Sequence, residues 1–241
     1  MIKHIILMIL CIGTAGATQE SVTIGTLNTQ PIETSSRMSS IERKVRDAAV
    51  KIHTGDGGHG SGGLIKYKDA QLIITAQHVA SADIGTLYPL TTETEQNIGV
   101  LIYADQLHDI AVIYVPKPFE SAKPMKWKPA DNITPVSTEV TYSGYPSWHS
   151  LMTYRGRVAG YEVDPNAGTQ IMIDTYGWFG CSGSLIYDER GRALGVLWGI
   201  DLQRGLPQEN MMWISPIQNL NLKLAMKALC LGAEDTLRAC R

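Results

Sequence analysis

Tyr176-Gly177-Trp178-Phe179-Gly180-Cys181-Ser182-Gly183-Ser184-Leu185-Ile186 sets a serine between glycines inside an otherwise apolar, strand-like neighbourhood. Glycine on both sides lets the backbone turn tightly and leaves the hydroxyl exposed. A serine nucleophile requires that exposure, together with backbone N–H groups placed to receive an oxyanion. Taken alone, Gly-x-Ser-Gly reads more readily as a β-turn with a polar cap, because so short a pattern recurs by chance. The flanking sequence decides between the two.

Working outward, residues 170–175 read as a strand that ends just before the serine loop. Strands follow at 183–187, 193–200 and 211–215, with a turn at Asp188-Glu189-Arg190-Gly191. Upstream, 157–161 and 139–142 are strands, and Ser143-Gly144-Tyr145-Pro146 is a turn. Residues 116–135, rich in proline and lysine, read as a long surface connection. His108-Asp109-Ile110-Ala111-Val112 opens an alternating apolar strand with an aspartate, and 97–103 is a strand before it. That aspartate is either a turn residue or the carboxylate that orients a histidine. Gln71-Leu72-Ile73-Ile74-Thr75-Ala76-Gln77-His78-Val79 is a β-branched run with a histidine just past its end, where a general base is well placed; alone, it is an ordinary loop histidine.

Gly60-Ser61-Gly62-Gly63 has no Gly-Lys-Ser/Thr ending and no helix after it, so it reads as a close backbone approach or bulge rather than a phosphate cradle. His53 and His59 flank Gly55-Asp56-Gly57-Gly58, a hairpin turn; a metal site would need a third ligand that the spacing does not supply. Ser39-x-x-Glu42 is a capping box ahead of a short helix over 41–50, and a first strand follows at 50–53. A terminal helix is expected over about 216–231. Many short strands, with helix only near the ends, indicate an all-β barrel or sandwich. No repeat or low-complexity tract interrupts the pattern.

The first 17 residues carry Lys3, an apolar run over 5–12 and Ala15-Gly16-Ala17. This is the pattern of a secretory signal peptide cleaved after Ala17, and the run is too short to remain as a membrane anchor. The expected location is secreted or periplasmic. Residues 18–40, rich in Ser, Thr, Gln and Asn, read as a flexible leader. Removing residues 1–17 moves the net charge from −2 to −3, leaving 20 basic against 23 acidic residues. That balance argues against nucleic acid as the main partner. Export permits a disulfide; Cys230 and Cys240, close in sequence, are the expected pair, with Cys181 committed to the serine loop. No metal or cofactor is expected.

Thr75-Ala76-x-His78, then Asp109-Ile110-Ala111-Val112, then Gly180-x-Ser182-Gly183, in that order, resembles the chymotrypsin-like (trypsin-fold) serine peptidases over roughly residues 50–217. The short His78–Asp109 spacing, Tyr142-Ser143-Gly144-Tyr145-Pro146 with Gly156-Arg157-Val158, and Trp213-Ile214-Ser215-Pro216-Ile217 look most like the bacterial HtrA/Deg branch, here without room for a PDZ domain. The resemblance implies two six-stranded antiparallel β-barrels with the site in the cleft between them, within a peptidase domain over 41–241. It implies Ser182 as nucleophile, His78 as base and Asp109 as its orienting carboxylate, with the N–H groups of Gly180 and Ser182 as the oxyanion hole. Leu197-Trp198-Gly199 matches the strand edge that pairs with an extended substrate, and Tyr176, Trp178 and Phe179 wall the primary pocket. The partner implied is a protein or peptide substrate.

The chain departs from the family pattern at Cys181, often Asp or Asn, and at Ser184, usually glycine. The bulky, uncharged Tyr176–Phe179 loop argues against a preference for Arg or Lys. Digestive members pair a new N-terminus with the aspartate before the serine; Cys181 offers no carboxylate. The loop is therefore expected to be ordered by its own packing, through Trp178 and Phe179, or by substrate. Cys181 as nucleophile is disfavoured because the glycine spacing fits Ser182. An α/β-hydrolase fails on chain order, since its serine precedes the acid and the histidine. A catalytically inactive binding module on the same fold remains the alternative.

Overall fold

The computed structural model describes residues 37–233 and Cys240. The expected signal segment, residues 1–17, lies outside the described residues, as do 18–36 of the expected leader and 234–239 and 241. Helix α1 (Ser40–Asp47) starts where its cap dictates. Ser39 Oγ accepts the Glu42 N–H at 3.3 Å, and the Ser39 N–H donates back to Glu42 Oε2 at 2.6 Å.

Two barrels follow. The first is built from β1 (Ala49–His53), β2 (His59–Tyr67), β3 (Ala70–Thr75), β4 (Leu87–Thr91), β5 (Gln96–Asp105) and β6 (Ile110–Tyr114), in the order β1-β4-β5-β6-β3-β2 and closed by β1 pairing with β2. The short strand β7 (Met125–Lys126) joins β2 in parallel. The second barrel, β10-β13-β12-β11-β8-β9, uses β8 (Glu139–Gly144), β9 (Met152–Asp164), β10 (Gly168–Asp174), β11 (Leu185–Asp188), β12 (Ala193–Gln203) and β13 (Leu206–Pro216). All pairings within both barrels are antiparallel. The fold is thus the expected all-β pair of six-stranded barrels with a C-terminal helix.

Each barrel has its own apolar core, with Ile52, Leu72 and Ile113 in the first and Val158, Ile173 and Ile214 in the second. Closure removes free sheet edges, and alternation along the strands sends the β-branched residues inward. The terminal helices are straps. Helix α1 reaches β9, where Glu42 pairs with Arg155 and Arg46 Nη1 donates to the Leu151 carbonyl at 2.9 Å. Helix α2 (Leu222–Ala233) returns to the first barrel and buries Leu222, Ala225 and Met226 in its core. The sulfurs of Cys230 and Cys240 lie at bonding distance, 2.04 Å.

Several elements differ from the sequence reading. Strand β4 is not among the expected strands, and it carries Pro89 in its middle, where proline is unusual. Pro89 lies just outside Leu90 and Thr91, which pair with β1, so its missing N–H breaks no ladder there. The proline-rich connection is not wholly a surface loop: it contributes β7, and Lys128–Ala130 bonds on to Ala193 of β12. The terminal helix is divided into a 3-10 turn at Ile217–Asn219 and α2. Asn221 makes the break, its Oδ1 accepting the Leu224 N–H at 3.0 Å as an N-cap does.

Candidate active site

The antiparallel pairing of β3 with β6 sets Thr75 opposite Ala111. The end of one strand therefore meets the start of the other. His78, in the turn after β3, and Asp109, just before β6, are brought together by that register. Asp109 holds the histidine with both oxygens: Oδ1 accepts the His78 backbone N–H at 2.8 Å, and Oδ2 accepts Nδ1–H at 2.7 Å. With Nδ1 donating, Nε2 keeps the lone pair and is the basic nitrogen. Asp109 sits at φ +52°, a left-handed conformation that aspartate tolerates better than most residues.

Ser182 comes from the other barrel, on the loop between β10 and β11. Its carbonyl accepts the Ser61 N–H at 2.8 Å, and the next residue, Gly183, donates to the Leu197 carbonyl at 2.7 Å. Gly183 has φ +90°, and an ideal Cβ there would lie 2.0 Å from the Ser61 carbonyl and 3.0 Å from the Ala76 nitrogen. No side chain fits. The serine loop is pressed against the end of β3, two residues before His78. The serine loop thus meets the end of β3 just ahead of His78, and among the described residues the bonds of His78 go to Asp109 and none joins it to Ser182 Oγ. Such contacts are commonly loose until substrate is present.

Neither the Gly180 N–H nor the Ser182 N–H has an acceptor among the described residues. The peptide planes around them are fixed from behind. Ser147 N–H donates to the Phe179 carbonyl at 2.6 Å, and the Ser61 hydroxyl donates to the Gly180 carbonyl at 2.7 Å. In a trans peptide the N–H points opposite to the carbonyl. Anchoring the Phe179 oxygen therefore aims the Gly180 N–H away from Ser147. The Ser61 hydroxyl also accepts the Tyr145 N–H at 3.0 Å, and His59 Nε2 donates to the Tyr145 carbonyl at 2.9 Å. Burial pushes the His59 imidazole below its usual pKa, which favours the neutral ring.

Of the expected sources of order in the loop, packing through Phe179 is not what the structure shows. Trp178 and Phe179 pack edge-on against each other at 5.4 Å, but Phe179 is 68% exposed and anchors nothing by its side chain. Ser61, Ser147, Tyr145 and His59 hold the loop instead. Sequence reading placed Ser61 in a close backbone approach, which is correct, but gave it no hydrogen-bonding role. Cys181 is fully buried in the second core, and burial raises its thiol pKa. A nucleophilic thiolate there is excluded by both exposure and charge.

Of the residues expected to wall a substrate pocket, Tyr176 and Phe179 are exposed and Trp178 is half-buried. Tyr176 is exposed and stacks on Tyr154 at 5.3 Å, while its carbonyl accepts the Tyr142 hydroxyl. Leu197 is buried, so it contributes only backbone. The β11 partner of β12 ends at Val196, so the backbone edge from Trp198 onward has no strand beside it on that side. Trp198 is fixed by its indole N–H donating to Gln170 Oε1 at 3.0 Å, and an ideal Cβ on Gly199 would meet nothing within 4 Å. That leaves an open strand edge for an extended chain. The hairpin histidines have separate partners, His53 Nε2 meeting Thr91 Oγ1 at 2.8 Å and His59 Nε2 the Tyr145 carbonyl. No helix among the described residues is long and apolar enough to cross a membrane.

The fold is shared with solved structures of the protease Rv3671c from M. tuberculosis. An inactive serine-to-alanine form gives a TM-score of 0.60 at 17% identity, over 82% of this chain and 93% of that one. The active form gives 0.62 at 18% identity, over 77% and 83%. Identity this low speaks for the fold alone. None of the curated proteins matches the sequence. The family model for the trypsin-like peptidase domain matches residues 60–196, from the glycine run behind the serine loop to the middle of β12. That is more than half of the chain, which therefore belongs to the trypsin-like peptidase domain family, as a serine peptidase.

Proposed function

We propose that the chain is an exported endopeptidase that cleaves peptide bonds through Ser182, His78 and Asp109 and an acyl-enzyme. The observation that carries this reading is the two-oxygen grip of Asp109 on His78, with the serine loop docked at the same strand end. Ser182 Oγ attacks the scissile carbonyl as His78 Nε2 takes its proton. Asp109 stabilises the imidazolium, and the Gly180 and Ser182 N–H groups receive the oxyanion. Collapse expels the amine, which takes the proton from His78, and leaves the acyl group on Ser182. Water, deprotonated by the same Nε2, then releases the acid. The substrate segment ahead of the scissile bond lies along Trp198 and Gly199, with Tyr176, Trp178 and Phe179 around its side chain.

Export rests on the residue 1–17 pattern with cleavage after Ala17, which leaves 18–40 as leader and 41–241 as the peptidase domain. The Cys230–Cys240 pair suits an oxidising compartment. Labelling with a fluorophosphonate probe tests the reading. Wild type is expected to label on Ser182, and Ser182→Ala and His78→Ala to lose labelling by about 10⁴-fold or more. Substantial labelling of Ser182→Ala defeats the assignment. A folded wild type that does not label turns the reading to a binding module.

A further inference from the structure

Seven of the chain's 21 Lys and Arg residues line two adjoining grooves on a face to which none of the residues assigned to the active site contributes. The larger, about 810 Å³, runs between the start of α1 and the β11–β12 turn, with Lys44, Lys123, Lys126, Lys128 and Arg190 along it. The smaller, about 490 Å³, adds Lys66 near the end of β2 and Lys68 in the turn after it. Pro124, Lys126 and Trp127 border both, so the half-buried indole of Trp127 is the ridge between them. All seven cations are exposed. Glu189 is the one carboxylate lining the grooves among the described residues, and Asp47 reaches only Lys123, at 3.8 Å.

Such a concentration of positive charge, on a chain whose net charge is −2, is a local attraction and not a global one. We propose that these grooves bind an extended acidic polypeptide segment. In naming the occupant as a stretch of the protein substrate remote from the cleaved bond, this rests on the peptidase reading. Three observations favour a short acidic peptide. The surface is concave, which a lipid bilayer cannot enter, and its two aromatic residues, Tyr67 and Trp127, are half-buried. The rest of the molecule is net negative, so a long nucleic acid held here would be repelled wherever it left the patch. A peptide segment a few residues long feels the patch alone, because screening confines the field to about 10 Å. Lysine stems and the Trp127 ring supply apolar contact beneath the charges.

The test measures anisotropy of fluorescein-labelled decaglutamate on the full chain carrying Ser182→Ala, which prevents turnover. Binding is expected, weakening steeply as salt rises from about 50 to about 300 mM. The pair Lys126→Glu and Lys128→Glu is expected to weaken it by about 10-fold or more, while the same pair in the Ser182 background labels with the probe as wild type does. Lys44→Glu with Arg190→Glu, on the opposite wall, gives a second variant should the first fail to fold. No binding by Ser182→Ala, or equal binding by both charge-reversed variants, overturns the proposal. Tighter binding of decathymidylate or of phosphatidylglycerol vesicles also overturns it, in favour of that partner. Decaglutamate binding by a wild type that does not label sinks the peptidase reading and leaves the groove. Labelling without binding does the reverse.

Discussion

The two walls of the cleft are held by different forces. On the first barrel, the His78–Asp109 pair is fixed by a carboxylate that accepts two N–H bonds at 2.8 and 2.7 Å. On the second, the serine loop is fixed by a hydroxyl, a backbone N–H and the close approach of Gly183, with no ionised group bonded to it among the described residues. Cys181, where an ion pair would otherwise order the loop, carries a neutral buried thiol. The proposed base is therefore held by charge, and the proposed oxyanion site by packing and neutral hydrogen bonds. Burial lowers the pKa of His59 and raises that of Cys181, which widens the pH range over which both groups beside the serine loop are neutral.

Asp109→Asn strikes the charged wall and has the largest expected effect. An amide offers one acceptor and one donor, whereas Asp109 receives two N–H groups. Either the His78 backbone N–H loses its partner, or Nδ1 must give up its proton and Nε2 becomes a donor that cannot act as base. Turnover and probe labelling are expected to fall by about 10⁴-fold with the fold unchanged. A loss of less than 10-fold, on the order of 1 kcal/mol of barrier, breaks the comparison, because the carboxylate would then be dispensable.

Ser61→Ala strikes the neutral wall. It leaves the Gly180 carbonyl without a donor and the buried Tyr145 N–H without an acceptor. Ser61 touches no reacting atom, so it is a positioning residue. Its loss is expected to lower kcat and the labelling rate by roughly 10- to 100-fold, less than removing an oxyanion donor outright, with KM little changed. A variant that melts earlier but labels at the wild-type rate assigns Ser61 a purely structural role and leaves the loop held by its backbone bonds and the close approach of Gly183.

What was legible in the sequence divides along the same line. His78, Asp109 and Ser182 stand at strand ends with short local signatures, and both hairpin turns and the Ser39–Glu42 cap are local too. The Ser61–Gly180 bond spans 119 positions and the Arg46–Leu151 bond 105, and such contacts leave no periodicity to read. Strand β4 is absent from the sequence reading, and its Pro89 is tolerated because the rule that removes proline from sheets holds only where its N–H would be needed. The tightness of Gly60-Ser61-Gly62-Gly63 was readable as close approach. Its partner was not, because the Tyr145–His149 turn that completes the latch owes its shape to Ser147 at φ +47°, a conformation serine does not advertise.

The smallest expected effect sharpens the comparison from outside the cleft. Glu42 ties α1 to β9 by its ion pair with Arg155, beside the hydrogen bond of Arg46 to the Leu151 carbonyl. The guanidinium of Arg155, joined by the Ser39 N–H, holds the Glu42 carboxyl down at about 2, against 4.5 for an ordinary glutamate. A carboxyl whose folded pKa is depressed stabilises the fold fully above its unfolded pKa and loses that contribution as pH falls towards the folded one. Wild type is therefore expected to melt above Glu42→Gln by about 2–4 °C from pH 5 to 7. The gap should narrow below about pH 4.5 and close near pH 2. Probe labelling at neutral pH should be the same for both, since the partners of the Glu42 side chain among the described residues are Ser39 and Arg155 and neither is assigned to the site. A melting gap that persists unchanged at pH 3 means that the side chain acts through packing and helix capping, and the charge on this strap is incidental.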